Sequence, residues 1–348
     1  MRLHNRINRD ELKRLMMESE EERITISFYK YYHLPNPRFF RDHFYLLLDS
    51  VGVLGRIYVA YEGINGQISV PKNNLDALRQ ALDTILFLQG IRLNIAVDDN
   101  GKSFFKLKIL VREKIVADGL DDDTFDVTKR GRHLSAAEFN AIAEKEGAVI
   151  VDMRNHYESE VGHFKNALCP DVETFREELP LVADMLKEQQ DKPLLMYCTG
   201  GIRCEKASAY MMHRGFQDVY MLDGGIIEYA RQVKEQGLEN KFIGKNFVFD
   251  ERLGERISTE IIAHCHQCGA PCDTHVNCAN DACHILFIQC EDCAAKMKHC
   301  CSEECREFNQ LPEAERTAQR KSRQFNGTKF GKGRYKAYRK SDQTIQLA

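Results

Sequence analysis

The chain has 348 residues, more than one small core accommodates and enough for two or three domains. Its 43% hydrophobic and 29% charged residues are ordinary for a soluble globular chain and exclude a collagen-like, mucin-like or wholly disordered protein. No apolar run reaches the ~18 residues of a membrane span, and Met1 to Asp10 lack the apolar core of a signal peptide. A cytoplasmic protein without a membrane partner is therefore expected.

Residues 1–22 are expected to form a helical arm, with Leu12, Leu15 and Met16 at helical spacing after a start at Asn8 to Glu11. Residues 23–117 form the next unit. Ile24 to Tyr29, Arg56 to Tyr61 and Gln67 to Val70 read as strands, and Arg92 to Val97 and Phe105 to Leu110 close the unit. Helical spacing appears at Phe40, Phe44, Leu47 and Leu48, and again at Leu75, Leu78, Leu82 and Ile85. Strand-helix-strand-strand-helix-strand is the ferredoxin-like split βαβ order. Residues 118–131, rich in Asp and turn formers, are expected to be a linker. In residues 132–240, Ser135 and Glu138 are spaced as a capping box. Short apolar strands follow at Ala148–Asp152, Leu194–Tyr197 and Val219–Leu222, with helical stretches between them. That pattern predicts a parallel sheet flanked by helices. Residues 241–305 are an extension with a Cys-rich module, and residues 306–348 a basic, flexible tail.

Cys198 directly follows a predicted strand and opens the run Cys198-Thr199-Gly200-Gly201-Ile202-Arg203, after which a helix begins. The carboxyl end of a parallel strand is where α/β sheets place ligands. Two glycines let the backbone curl, so that Thr199, Gly200, Gly201 and Ile202 turn N–H groups inward as an anion nest. That field favours the Cys198 thiolate, with Arg203 bracing the loop or facing an anionic ligand. Cys204 reads as a packed, inert helix cysteine, with a resolving role as the alternative. No nicotinamide or flavin fingerprint is visible.

These motifs resemble the rhodanese superfamily over roughly residues 130–240. They are carried by Asp152-Met153-Arg154, Glu158, Gly162-His163-Phe164-Lys165-Asn166-Ala167, the Cys198 loop and Leu222-Asp223-Gly224-Gly225-Ile226. Asp152 and Arg154 read as a strand-end ion pair that supports the site. The family's four residues between Cys198 and Arg203 suit a sulfur-sized adduct; a phosphate cradle has one more. The whole chain to about Cys305 further resembles the tRNA uridine-34 hydroxylases. Ala60-Tyr61-Glu62-Gly63-Ile64-Asn65-Gly66, Asp152 to Glu158, Tyr197 to Lys206, Gly224 to Tyr229 and Phe242 to Asp250 carry the likeness. The resemblance implies oxygen-dependent hydroxylation of wobble uridine in tRNA to 5-hydroxyuridine, with molecular oxygen as co-substrate and an unidentified electron donor. Cys198 would act as a uridine adduct, a sulfenic acid or a persulfide. The competing functions are a rhodanese-type sulfurtransferase and a non-catalytic RNA- or zinc-binding adapter.

Ten of the 13 cysteines fall between Cys265 and Cys305. Cys265-x2-Cys268 and Cys290-x2-Cys293 are two knuckles of the spacing that tetrahedral zinc requires. Cys272, Cys278, Cys283, Cys300, Cys301 and Cys305 are further candidates. One or two structural zinc ions are expected, with reduced thiols without metal and a redox-active iron–sulfur cluster as the alternatives. The tail carries 11 Lys+Arg against 4 Asp+Glu from Arg306 onward, a net +7. Its Lys329, Lys332, Arg334 and Tyr335 suit contact with nucleic-acid phosphates and bases.

Overall fold

The computed structural model describes residues 7–120, 129–320, 322–327 and 335. Helix α1 (Arg9–Glu18) buries Leu12, and Lys102 donates to its Met16 carbonyl at 2.7 Å. The first domain comprises β1 (Arg23–Tyr31), α2 (Pro37–Ser50), β2 (Leu54–Ala60), β3 (Gly63–Pro71), α3 (Leu75–Asp83), β4 (Asn94–Ile95) and β5 (Leu107–Val111). Its sheet order is β4-β1-β3-β2-β5, the split βαβ arrangement with β5 added parallel to β2. Ile26, Phe28, Ile57, Val59, Ile64 and Ile68 form one apolar face, covered by Phe44 and Leu48 of α2 and Leu78 and Leu82 of α3. Asn36 caps α2 by accepting from the Phe39 N–H at 3.1 Å, and Pro37 follows at the first helical position. Gly66 is fixed by packing: a Cβ there would stand 2.6 Å from the Phe28 ring.

The second domain contains β6 (Arg132–Leu134), α4 (Ala136–Ala143), β7 (Val149–Asp152), α5 (His156–Ser159), β8 (Gly162–Phe164), α6 (Phe175–Met185), β9 (Leu194–Tyr197), α7 (Ile202–His213), β10 (Val219–Leu222) and α8 (Gly225–Gln236). Strands run in the order β6-β10-β9-β7, all parallel. Ile150, Leu195 and Leu222 face α4 and α8, while Val151, Leu194, Met196 and Met221 face α6 and α7. Strand β6 was not predicted, because only Leu134 of its three residues is buried and no apolar run marks it. The Ser135–Glu138 capping box forms as expected.

Strands β11 (Phe242–Asn246) and β12 (Glu255–Arg256) extend β8 into a small antiparallel sheet. The Cys-rich module follows with β13 (His275–Asn277), β14 (Leu286–Ile288), α9 (Glu291–Met297), α10 (Glu303–Gln310) and α11 (Glu313–Gln319). The flexible tail expected from residue 306 is thus helical as far as Gln319. Ser302 caps α10 by accepting from the Cys305 N–H at 3.2 Å, and buried Phe308 packs on Phe325. The expected linker begins with an anchor: buried Asp118 and Glu62 both bind Lys206, itself 2% exposed. The remainder of that linker, residues 121–128, lies outside the described residues. Among the described residues no helix is long and apolar enough to cross a membrane.

Candidate active site and metal centres

Strand β9 delivers Cys198 to the sheet's carboxyl edge, where the chain turns through Thr199 and Gly200 into α7. Gly201 caps the helix at φ 96°, a left-handed conformation that disfavours any side chain. Its N–H donates to Cys198 Sγ at 3.2 Å. Burial opposes ionisation of this 1%-exposed thiol. A hydrogen bond from the Cys204 thiol, the Arg203 charge and the N–H groups of Cys204 and Arg203 outweigh it, bringing the pKa down to about 6. Cys204 is buried as expected and stands beside the Cys198 sulfur as a thiol donor. Burial, and then its bond to Cys198, hold its own thiol protonated.

Both terminal guanidinium nitrogens of Arg203 donate to the buried Glu158 carboxylate at 2.8 and 2.7 Å, so Arg203 braces the loop and supplies charge beside the sulfur. Glu158 is fixed in turn by the Asn155 N–H at 3.2 Å. Asp152 and Arg154 form a buried bidentate pair at 2.8 and 2.7 Å. Tyr197 donates to Asp152 at 2.7 Å, and Arg154 donates to the Gly162 carbonyl at 2.6 Å. This pair locks β7, β8 and β9 at the edge that carries Cys198.

Sequence reasoning missed two contributors. Glu178 of α6 is fully buried, and neither carboxyl oxygen has a hydrogen-bond partner among the described residues. Burial raises its pKa well above the carboxylate range despite the nearby Arg203 charge. The first domain also reaches the loop. Tyr29 donates to Glu205 at 3.0 Å, Tyr31 donates to the Ile202 carbonyl at 3.4 Å, and Arg92 pairs with Asp223 at 2.5 and 2.6 Å. The polar alternation Thr25, Ser27, Tyr29, Tyr31 was the available signal.

The cysteines gather into two quartets, Cys265, Cys268, Cys290, Cys293 and Cys278, Cys283, Cys301, Cys305, with sulfurs all within 4.8 Å of one another in each. Cys272 and Cys300 stand outside both quartets. Contacts between sulfurs of 3.7 Å recur at Cys268–Cys290, Cys283–Cys301 and Cys301–Cys305. Tetrahedral bonds of about 2.3 Å to a metal would set such an edge at roughly 3.8 Å. N–H groups of Cys290, Cys301 and Gly327 point at the sulfurs of Cys265, Cys278 and Cys283 at 3.4, 3.4 and 3.3 Å. That is the outer shell an anionic thiolate needs. Tyr335, expected on bases, is half-buried instead. Its ring stacks against His266 and Phe287, and its hydroxyl donates to the Cys301 carbonyl at 2.9 Å. Lys329, Lys332 and Arg334 lie outside the described residues.

Residues 23–115 match the UPF0176 acylphosphatase like domain, residues 135–232 the Rhodanese-like domain, and residues 243–306 the Rhodanase C-terminal family. A tRNA uridine(34) hydroxylase of Photorhabdus laumondii is 56% identical over 335 residues, 96% of this chain and 95% of its own. Its counterpart in Salmonella schwarzengrund is 58% identical over 333 residues, 95% of each chain. That of Pectobacterium carotovorum is 58% identical over 329 residues, 94% of this chain and 92% of its own.

Proposed function

From the premise that the chain belongs to the tRNA uridine(34) hydroxylase family, we propose that it converts the wobble uridine of tRNA to 5-hydroxyuridine with Cys198 as the reacting group. The observation that carries this reading is the buried Cys198 sulfur at a strand end, accepting from the Gly201 N–H at 3.2 Å beside the Arg203 charge, with its pKa lowered to about 6. Addition of a thiolate to C6 of a pyrimidine makes C5 electron-rich, and elimination of the sulfur after oxygen transfer restores the ring. If molecular oxygen is the donor, one atom enters C5–H and the other leaves as water, consuming two electrons and two protons. A reductant is then part of the reaction. The Lys329, Lys332 and Arg334 run is proposed to hold tRNA phosphates, and such a substrate implies work in the cytoplasm.

The two Cys quartets are proposed to hold one zinc ion each. Four thiolates leave no open coordination position, so the ions are structural. Sulfur–sulfur contacts of 3.7 Å suit four thiolates around a single ion.

The test is mass spectrometry of tRNA nucleosides from cells with and without the chain. The 5-hydroxyuridine peak should vanish without it. An unchanged peak, or loss of a thiolated nucleoside in its place, would overturn the reading. A pH profile tests the thiolate. Because the Cys198 pKa is depressed, the reactive form predominates above it, so kcat/KM should rise through pH ~6 and level off. Cys204→Ala removes the thiol hydrogen bond and should move that midpoint upward. A midpoint that does not respond would remove Cys204 from the site's electrostatics.

A further inference from the structure

The first domain's sheet presents polar groups to the Cys198 loop, two of which have no hydrogen-bond partner among the described residues. Along β1, Ile24, Ile26 and Phe28 enter the apolar core, and Thr25, Ser27, Tyr29 and Tyr31 take the opposite face. Strand β4 pairs Asn94 with Ser27, so the two side chains are neighbours on that polar face. The face covers the Cys198 loop. Ser27 Oγ and Asn94 Nδ2 lie 3.7 and 3.8 Å from the point where a side chain at Gly200 would begin, and Tyr29 Oη lies 3.0 Å from the same point at Gly201. Tyr29 and Tyr31 have partners on α7. Ser27 Oγ and Asn94 Oδ1 have none among the described residues, although Asn94 is only 4% exposed. A buried polar atom left unpaired is costly, and one beside a reactive sulfur calls for a partner.

We propose that Asn94, with Ser27 beside it, pairs with the Watson–Crick edge of the uracil brought to Cys198 and is a specificity-determining residue of the hydroxylation. The proposal rests on the hydroxylase reading above. Uracil offers an N3–H donor between two carbonyl acceptors. A primary amide offers an acceptor and a donor side by side, so Oδ1 takes the N3–H while Nδ2 donates to a carbonyl. A wobble base lies in a single-stranded loop, and such bases are read by being splayed out and hydrogen-bonded on this edge. The seam it enters is closed by polar contacts, Tyr29–Glu205, Arg92–Asp223 and Lys206–Glu62. Polar domain interfaces of this kind permit relative motion. As the domains part for the base, Ser27 and Asn94 gain the partners they lack.

The test pairs a residue with a base atom. Full-length wild type and Asn94→Ala are assayed on anticodon stem-loops carrying either uridine or N3-methyluridine at the wobble position. The wild type should prefer uridine by at least about 100-fold in kcat/KM, because methylation removes the N3–H. Asn94→Ala should lose at least about tenfold on uridine and reduce the preference by a similar factor. A merely structural lesion lowers both substrates equally and leaves the ratio unchanged. That result, or unchanged activity on uridine, overturns the proposal. Circular dichroism checks each fold, and Asn94→Ser, which keeps a small polar side chain in the seam, gives the same readout if the alanine variant does not fold. Wild type that forms no 5-hydroxyuridine on the uridine stem-loop would instead overturn the hydroxylase reading itself.

Discussion

Replacing Cys198 with serine should reduce 5-hydroxyuridine formation by roughly a thousandfold or more, because a hydroxyl at this position stays protonated and is a weak nucleophile. Everything around the sulfur favours an anion that serine does not form near neutral pH. The Gly201 N–H at 3.2 Å and the Arg203 guanidinium held by Glu158 persist in the variant. The substitution is nearly isosteric, so the packing of α6 and α7 on Met196 and Met221 is retained. Melting temperature and tRNA affinity should therefore stay close to wild type while single-turnover product, read by mass spectrometry, disappears. Near wild-type turnover would place the chemistry on another residue. The Glu158→Gln variant should act more mildly. It weakens the brace on Arg203, yet leaves the sulfur in place.

The Cys198 loop was legible because its chemistry is local: strand, nucleophile, two glycines and a helix start are consecutive. The first Cys quartet was legible for the same reason, since its ligands sit in two Cys-x2-Cys knuckles. The second was not. Cys278, Cys283, Cys301 and Cys305 have no such knuckle, and only the pairing of β13 with β14 and the placement of α10 bring them together. Spacing alone therefore left Cys272 and Cys300 as equal candidates. Arg203 illustrates a subtler limit. Its position was plain, but its partner Glu158 comes from α5, 45 residues earlier, so bracing and ligand binding stayed indistinguishable. Tyr335 followed composition into a nucleic-acid role, although aromatic and basic residues interleave equally well when one of them is needed by a small core. The polar face of β1 was visible as alternation. That it meets the Cys198 loop instead of water depends on how two domains dock, which no local pattern encodes.

The second quartet also sets the other large effect expected here. Purified protein should carry about two equivalents of zinc, and Cys278→Ser should carry about one and melt markedly lower. The reason is the composition of the core around it. Among the described residues its buried part is Ile285 and Phe287 with five cysteines, Cys278, Cys283, Cys300, Cys301 and Cys305, and Val276, Phe325 and Tyr335 pack half-buried against it. Too little apolar surface is buried there to offset the conformational entropy of ordering a module this small. Metal–thiolate bonds would supply the difference, and Gly327 and Asn326 donate to Cys283 and Cys301. Cys272→Ala and Cys300→Ala, outside both quartets, should keep two equivalents. The module also grips the catalytic domain through the His266–Glu160 hydrogen bond at 2.8 Å and through Val161 and Phe247. Activity of the Cys278→Ser variant should accordingly fall with the folded fraction, while turnover per folded molecule changes far less. Two equivalents retained in that variant, less than one in the wild type, or a visible iron–sulfur chromophore would each defeat the assignment.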